Sequence, residues 1–241
     1  MSMQNGNDEK STDDPENSGS ERNFAPGSLE SAESYVARSL GTSPEGLGGS
    51  QAFANAFRAF LEWGESCSLI CSSADYPFLR RAPEAKGNEH EVWFDQDSNR
   101  WFKATYPNKF GLGWSEEGFA TAREYLTRLV LSNRHFGDDI RLVALVNQHE
   151  QLRVLTSQPH IAGEPATHEE ICSWFIGLRF RRIESVAGLA WYRADLNLLV
   201  ADAHEGNVIK AHDGSLYPID LNIAEPTGQL LEWVRSATCS Q

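Results

Sequence analysis

Cysteine is scarce in this 241-residue sequence: Cys67, Cys71, Cys172 and Cys239 are scattered along it. Cys67-x-x-x-Cys71 has no second pair at zinc-site spacing, and a chain of this length needs no disulfide framework. The four read as reduced thiols in a cytoplasmic protein. Positive charge is also short, with 21 Lys and Arg against 34 Asp and Glu, a net charge of −13. A nucleic-acid surface needs clustered cations against phosphates, so direct nucleic-acid binding is not expected. A nucleotide pocket, which needs only one or two local cations, remains open. No apolar run reaches the ~18 residues of a membrane span, no basic-then-apolar signal peptide opens the chain, and no internal repeat is visible. What is present is 40% hydrophobic residues with seven Trp and twelve Phe, enough for a substantial core.

Composition divides the chain. Residues 1–50 are rich in Ser, Gly, Asn, Asp and Glu. Such a segment buries too little apolar surface to offset chain entropy, and it reads as a disordered tail with at most a short helix at 28–40. Order is expected from Gln51, where Phe53, Phe57, Phe60 and Leu61 recur at helical spacing. From Gly87 the pattern turns extended. Residues 90–95 and 100–105 read as a hairpin around a turn at 96–99. Ser115 with Glu116 and Glu117 reads as the start of a long helix to about Asn133, with Phe119, Tyr125, Leu126, Leu129 and Val130 on its apolar face. Residues 140–147 and 152–156 read as a second strand pair, which ends at Ser157-Gln158-Pro159 because proline stops the ladder. A helix follows from Thr167 through Leu178, and another is expected over 229–235. The units are thus a tail (1–50), a first lobe (51–156), and a linker with a reduced second lobe (157–241).

The chemistry concentrates late in the chain. Val200-Ala201-Asp202-Ala203-His204-Glu205-Gly206-Asn207 sets an Asp and an Asn five positions apart, and Tyr217-Pro218-Ile219-Asp220 places a second Asp after another apolar run. Short buried strands joined by a turn at 212–215 would carry these groups at their ends. Phosphoryl transfer needs this set: Asp202 to orient a hydroxyl, with Asn207 and Asp220 to hold magnesium against a triphosphate. Upstream, Lys103 lies mid-strand between aromatic and small residues. It needs an anionic partner if buried, either a nucleotide phosphate or a helix carboxylate, for which Glu124 is chosen. A hairpin with a Lys, a helix with a Glu, two strands and a linker form, in order, the smaller lobe of a kinase-like α+β fold. The expected architecture is a reduced two-lobed one, an antiparallel-sheet lobe followed by a small helical lobe.

Asp202-Ala203-His204-Glu205-Gly206-Asn207 resembles the catalytic loop of aminoglycoside-phosphotransferase-type and other atypical kinases. The stretch from Gly87 to Ala224 resembles the compact serine/threonine/tyrosine kinase-like domain of polyvalent proteins of phages and conjugative elements. Gly87-Asn88-Glu89-His90-Glu91-Val92, Glu124-Tyr125-Leu126-x-Arg128-Leu129, Phe136-Gly137-Asp138-Asp139, Ser157-Gln158-Pro159 and Tyr217-Pro218-Ile219-Asp220 carry that likeness. It implies ATP and Mg2+ as cofactors. Asp202 would then be the catalytic base, and Asn207 and Asp220 the magnesium ligands. Lys103 would contact the α and β phosphates and pair with Glu124, while Ser157, Gln158 and Pro159 would form an adenine-binding hinge. The acceptor would be a hydroxyl on a protein or a small molecule. His204 is expected to shape the loop.

The sequence departs from the wider kinase pattern. No G-x-G-x-x-G precedes Lys103, so phosphates would be covered differently, near Gly87-His90. Val200-Ala201 replaces His-Arg before Asp202, and Leu221-Asn222 replaces Phe-Gly after Asp220. Only 21 residues follow Asp220, so no activation segment with a large docking lobe is expected, nor regulation by phosphorylating one. Arg179-Phe180-Arg181-Arg182 reads as a solvated helix end, or as a site for an acidic acceptor. Asp138-Asp139 reads as surface or cap groups. Two rival functions remain, a nucleotide-binding pseudokinase acting as an interaction module, and a nucleotidyl transferase.

Overall fold

The computed structural model describes residues 28–41, 49–114, 118–148, 151–185 and 188–239. The tail expected over 1–27 and 42–48, the helix start at 115–117 and the turn at 149–150 lie outside the described residues. The N-terminal half runs α1 (Ser28–Leu40), α2 (Gly49–Ser66), β1 (Ile70–Ser72), two 3-10 turns (Ser73–Asp75, Pro77–Arg80), β2 (Ala85–Lys86), β3 (His90–Asp95), β4 (Arg100–Thr105), α3 (Ala122–Phe136), β5 (Arg141–Gln148) and β6 (Gln151–Pro159). Its strands form one six-stranded sheet in the order β1-β5-β6-β4-β3-β2, antiparallel except for the β1–β5 pair. The C-terminal half runs β7 (Gly163–Pro165), α4 (His168–Gly177), β8 (Arg181–Ser185), β9 (Gly188–Arg193), β10 (Leu198–Ala201), β11 (Val208–Ala211), β12 (Leu216–Pro218), β13 (Asn222–Ala224) and α5 (Gly228–Cys239). Here a four-stranded sheet, β13-β10-β9-β8, stands beside a three-stranded one, β12-β11-β7.

Side-chain alternation gives the large sheet two different faces. Trp93, Phe102, Ala104, Val146 and Leu155 point to the outer face, where Tyr76, between the two 3-10 turns, and Phe78, in the second, cover them. Leu142, Leu145 and Val154 point to the inner face, against Tyr125, Leu126 and Leu129 of α3. Lys103 pairs across the ladder with Val92 and Thr156, and directly opposed residues share a face. Lys103, Thr156 and, two residues along each strand, Trp101 and Gln158 therefore lie on the inner face.

Helix α3 serves both halves. Tyr125, Leu126, Leu129 and Val130 enter the first core. Leu131 and Phe136 join a second core with Phe175 of α4, Trp191 of β9, Val200 of β10 and Ile223 of β13. Its start comes later than the sequence pattern suggests. Thr121 and Glu124 form a reciprocal capping box, and Gly137 closes the helix in the left-handed region at φ 71°. Residues 118–120, directly before the cap, are not helical: Leu112 and Phe119 form an isolated bridge, and Phe119, expected on a buried helix face, is 58% exposed.

Three other expectations are revised or sharpened. The short helix allowed for at 28–40 is present, and it is packed instead of belonging to a tail: Leu29, Ala32 and Val36 are buried against α2 and α3. The serine and alanine content hid the i, i+3, i+7 apolar stripe that makes this burial favourable. Strand β6 continues through Pro159, which pairs with Arg100. The second half is richer in strand than a small helical lobe, because Arg181–Ser185, which begins in the expected helix end, pairs instead with Gly188–Arg193. No helix among the described residues is long and apolar enough to cross a membrane. Cys67, Cys71 and Cys172 are free thiols.

Packing of α1 on the first core yields a direct expectation. Leu29→Ala should cost about 2–4 kcal/mol, and Val36→Asp should cost at least as much, because a charge would be buried without a partner. Urea denaturation of the full chain measures both, and a midpoint unchanged from wild type would show that α1 does not belong to the core.

Candidate active site

The loop after β10 is braced by its own side chains. Asp202 sits in the left-handed region at φ 62°, a costly conformation for a non-glycine residue that its surroundings must enforce. The Asn207 amide enforces it, with Nδ2 donating to the Asp202 carbonyl and to Asp202 Oδ2, both at 2.9 Å. The Gly206 amide donates to His204 Nδ1 at 3.0 Å. In the neutral ring the proton is then on Nε2, which lies 3.4 Å from Asp202 Oδ1. His204 thus shapes the loop, as its spacing implied. A Cβ on Gly206 would stand 2.9 Å from the His204 ring, so a larger residue there would push the ring aside. Burial raises the Asp202 pKa, opposed by His204 and Asn207.

The second carboxylate is tied to that loop through the backbone. Ile219 N donates to Asn207 O at 2.9 Å, which places Asp220 next to the Asp202–Asn207 turn. Lys103 reaches down from the sheet: its Nζ donates to Ile219 O at 2.6 Å and stands 3.8 Å from Asp220 Oδ1. Burial would push the Asp220 carboxyl up. The charge of Lys103, with Arg128 adding to it, outweighs burial and holds the pKa below the usual carboxylate range. Its side chain is 45% exposed, so an ionised oxygen faces open space.

The helix acid chosen from sequence is not Lys103's partner. Glu124 Oε2 accepts from Thr121 N at 2.7 Å, so its carboxylate closes the helix cap instead of facing the sheet. Arg128, one turn on, points inward and is 5% exposed. Glu89 binds it with both oxygens: Arg128 Nη1 donates to Oε1 at 3.0 Å and Nη2 to Oε2 at 2.5 Å. Leu112 N also donates to Glu89 Oε1 at 2.8 Å. Gly111, at φ 79°, is where the backbone passes this carboxylate, which a Cβ would strike. The helix–sheet ion pair exists with its signs exchanged. Its signal in the sequence was Glu89 beside the expected phosphate-covering turn and Arg128 on the helix.

Glu89, His90 and Asp220 each offer a ligand atom within 4.8 Å of the others. Two of the three are already engaged, Glu89 by Arg128 and His90 Nε2 by the Tyr125 hydroxyl at 3.2 Å. The expected hinge also divides by face. Ser157 points outward, its Oγ and carbonyl accepting from Arg100 at 3.1 and 3.2 Å. Gln158 lines a cavity with His90, Lys103, Tyr125, Asp138, Thr156 and Asp220. Pro159 remains in the ladder, and the chain leaves the sheet only at 160–162. Unforeseen was an aromatic trio near Gln158: Trp101 Nε1 donates to His160 Nδ1 at 3.0 Å, and Phe94 lies 4.9 Å from Trp101 and 5.2 Å from His160 between ring centroids. Asp139 pairs with Arg100 and Arg141, as a surface acid should. Asp138, beside it, is half-buried, with Oδ1 fully enclosed, which corrects the reading of both as surface groups. Arg179 pairs with Asp195 at 3.8 Å, at the end of the four-stranded sheet away from Asp202.

A lysine on an antiparallel sheet, held over an acid–amide–acid set from the second half, defines the molecule as a kinase-like α+β protein. The family model described as Serine/Threonine/Tyrosine Kinase found in polyvalent proteins matches residues 72–224. The chain belongs to that family. Helices α1 and α2 precede the matched residues and complete its first core. No curated protein and no solved structure matches the chain.

Two buried groups titrate in opposition. Burial lowers His90 from 6.5 to about 4, so between those values the unfolded chain takes up a proton that the native one refuses. Stability falls as pH falls through that window, by on the order of 3 kcal/mol when complete. Burial raises Asp138 from 3.8 to about 7, so there the native chain holds a proton that the unfolded one releases, and stability falls as pH rises. Thermal unfolding from pH 4.5 to 7 should show His90→Gln losing Tm with rising pH relative to wild type, and Asp138→Asn gaining it. Slopes identical to wild type in both variants would refute the opposition.

Proposed function

We propose that the chain transfers the γ-phosphoryl group of ATP to a hydroxyl, with Asp202 as the base. The observation that carries this reading is the meeting of Asp202, Asn207, Asp220 and Lys103 at one end of the interface between the halves. Asp202 is fixed at the loop turn with its carboxylate more than half exposed, where an acceptor hydroxyl can approach. As the O–P bond forms and the γ-phosphate leaves ADP, Asp202 takes the hydroxyl proton.

The donor set suits magnesium. Both Nδ2 bonds of Asn207 go to Asp202, which leaves Oδ1 as a hard oxygen donor, and Asp220 adds an ionised carboxylate oxygen. Hard oxygen pairs of this kind, completed by phosphate and water, fit Mg2+. The cation, when bound, neutralises charge on the phosphates. Lys103 brings its ammonium to the same point, and the Glu89–Arg128 pair holds the turn before β3 against α3 in place of a glycine-rich loop. Gln158 and the Trp101, Phe94 and His160 rings offer the base an amide and a stacking surface on the inner face.

Because burial raises Asp202, the acidic limb of kcat/KM should lie above the ordinary carboxylate range. Incubation with γ-labelled and α-labelled ATP tests the reaction. Label should pass from the γ position to an acceptor in lysate or to the chain itself, and fall by at least about 100-fold in Asp202→Ala, in keeping with loss of a general base. Asp220→Ala should weaken magnesium-dependent nucleotide binding as well. Transfer from the α position would identify a nucleotidyl transferase, and binding without any transfer a pseudokinase.

A further inference from the structure

We infer that Asp138 is a positioning residue for Lys103, the second carboxylate that seats the lysine when Asp220 turns to a bound cation. The inference rests on the functional reading above.

Lys103 has 14% of its side chain exposed, and its only carboxylate within ion-pair distance among the described residues is Asp220. If Asp220 gives its oxygens to a cation, this nearly buried ammonium loses its counter-charge and needs another. The nearby acids are already committed. Glu124 closes the α3 cap, Glu89 is held by both Arg128 nitrogens, and Asp202 holds Asn207 and His204.

Asp138 is the exception. Ser132 Oγ donates to its Oδ2, while Oδ1 is buried with no hydrogen-bond partner. Buried polar atoms are satisfied in native proteins, and one that is not calls for an explanation. Asp138 lines the same cavity as Lys103, Tyr125, Thr156 and Asp220, and that cavity has a free volume of about 20 Å³. This is room for about one water, and an ammonium group is of similar size. Lysine can therefore enter by rotating its own side chain, with α3 and the sheet in place.

The seat is rigid. Asp138 stands between Gly137 and Asp139, at φ 71° and 48°. Asn133 clamps Ile140, two residues on, from both sides, accepting from Ile140 N at 2.7 Å and donating to Ile140 O at 2.8 Å. A carboxyl group held this firmly with one oxygen unpaired is preorganised for a cation that arrives later.

The test uses the full chain as wild type, Lys103→Met, Asp138→Asn and the double variant, with Mg2+ and a non-hydrolysable ATP analogue in calorimetry, and Tm without nucleotide at pH 8. Asp138→Asn should weaken analogue binding about tenfold without lowering the nucleotide-free Tm. The double variant should bind no more weakly than Lys103→Met, because both substitutions break one interaction. Unchanged binding in Asp138→Asn, losses that multiply in the double variant, or a lowered nucleotide-free Tm would each overturn the inference and leave the functional reading standing. A wild type that does not bind the analogue would remove both.

Discussion

The structure turns on one ammonium group. Lys103 projects from the middle of a sheet into the interface between two halves of the chain, where water cannot fully solvate it. The Ile219 carbonyl and the Asp220 carboxylate meet it from the other half. A charge in that position stays only if opposite charge is held close, so the two halves must dock with 219–220 beneath β4. The Ile219–Asn207 backbone bond then carries the placement to the Asp202 loop. Sheet, lysine, acid and loop are one mechanical unit.

Helix α3 makes that docking rigid. Its faces enter both cores, so it cannot shift against one half without disturbing the other. Its charges are sorted by depth. Glu124 stays at the rim as a cap, where a carboxylate also complements the helix dipole. Arg128 lies inside and is neutralised by Glu89 through two hydrogen bonds, the geometry in which a buried guanidinium is best satisfied. The expected pairing of a cation on the sheet with an acid on the helix is replaced here by its mirror image, an acid before the strand and a cation on the helix. The interior therefore holds several ionised groups whose pairings decide which of them remain available for a ligand.

Much of this was legible in the linear sequence because it is local. The hairpin at 90–105 follows from period-two alternation. The α4 start at Thr167 and Glu170 is a capping box, readable at a glance. The Asp202–Asn207 loop was legible because its bonds join residues at most five apart. Reading failed where local patterns were ambiguous or where partners were distant. The acids at Glu116 and Glu117 imitated a helix start, while the true capping box lay at Thr121 and Glu124. The aromatic hairpin of β8 and β9 was hidden by an arginine cluster that resembles a helix end.

The sequence by itself determined the elements and the inventory of chemistry: a strand lysine, an acid–amide loop, a downstream acid, and their order along the chain. Periodicity, turn residues and short-range side-chain bonds are properties of neighbours, and neighbours are written in the sequence. Only the tertiary structure decided which charges meet. Arg128 finds Glu89 across 39 positions, Lys103 finds Ile219 across 116, and Asp138 is left beside them with one oxygen unpaired. No local rule contains those pairings, because each depends on how two cores pack against the same helix.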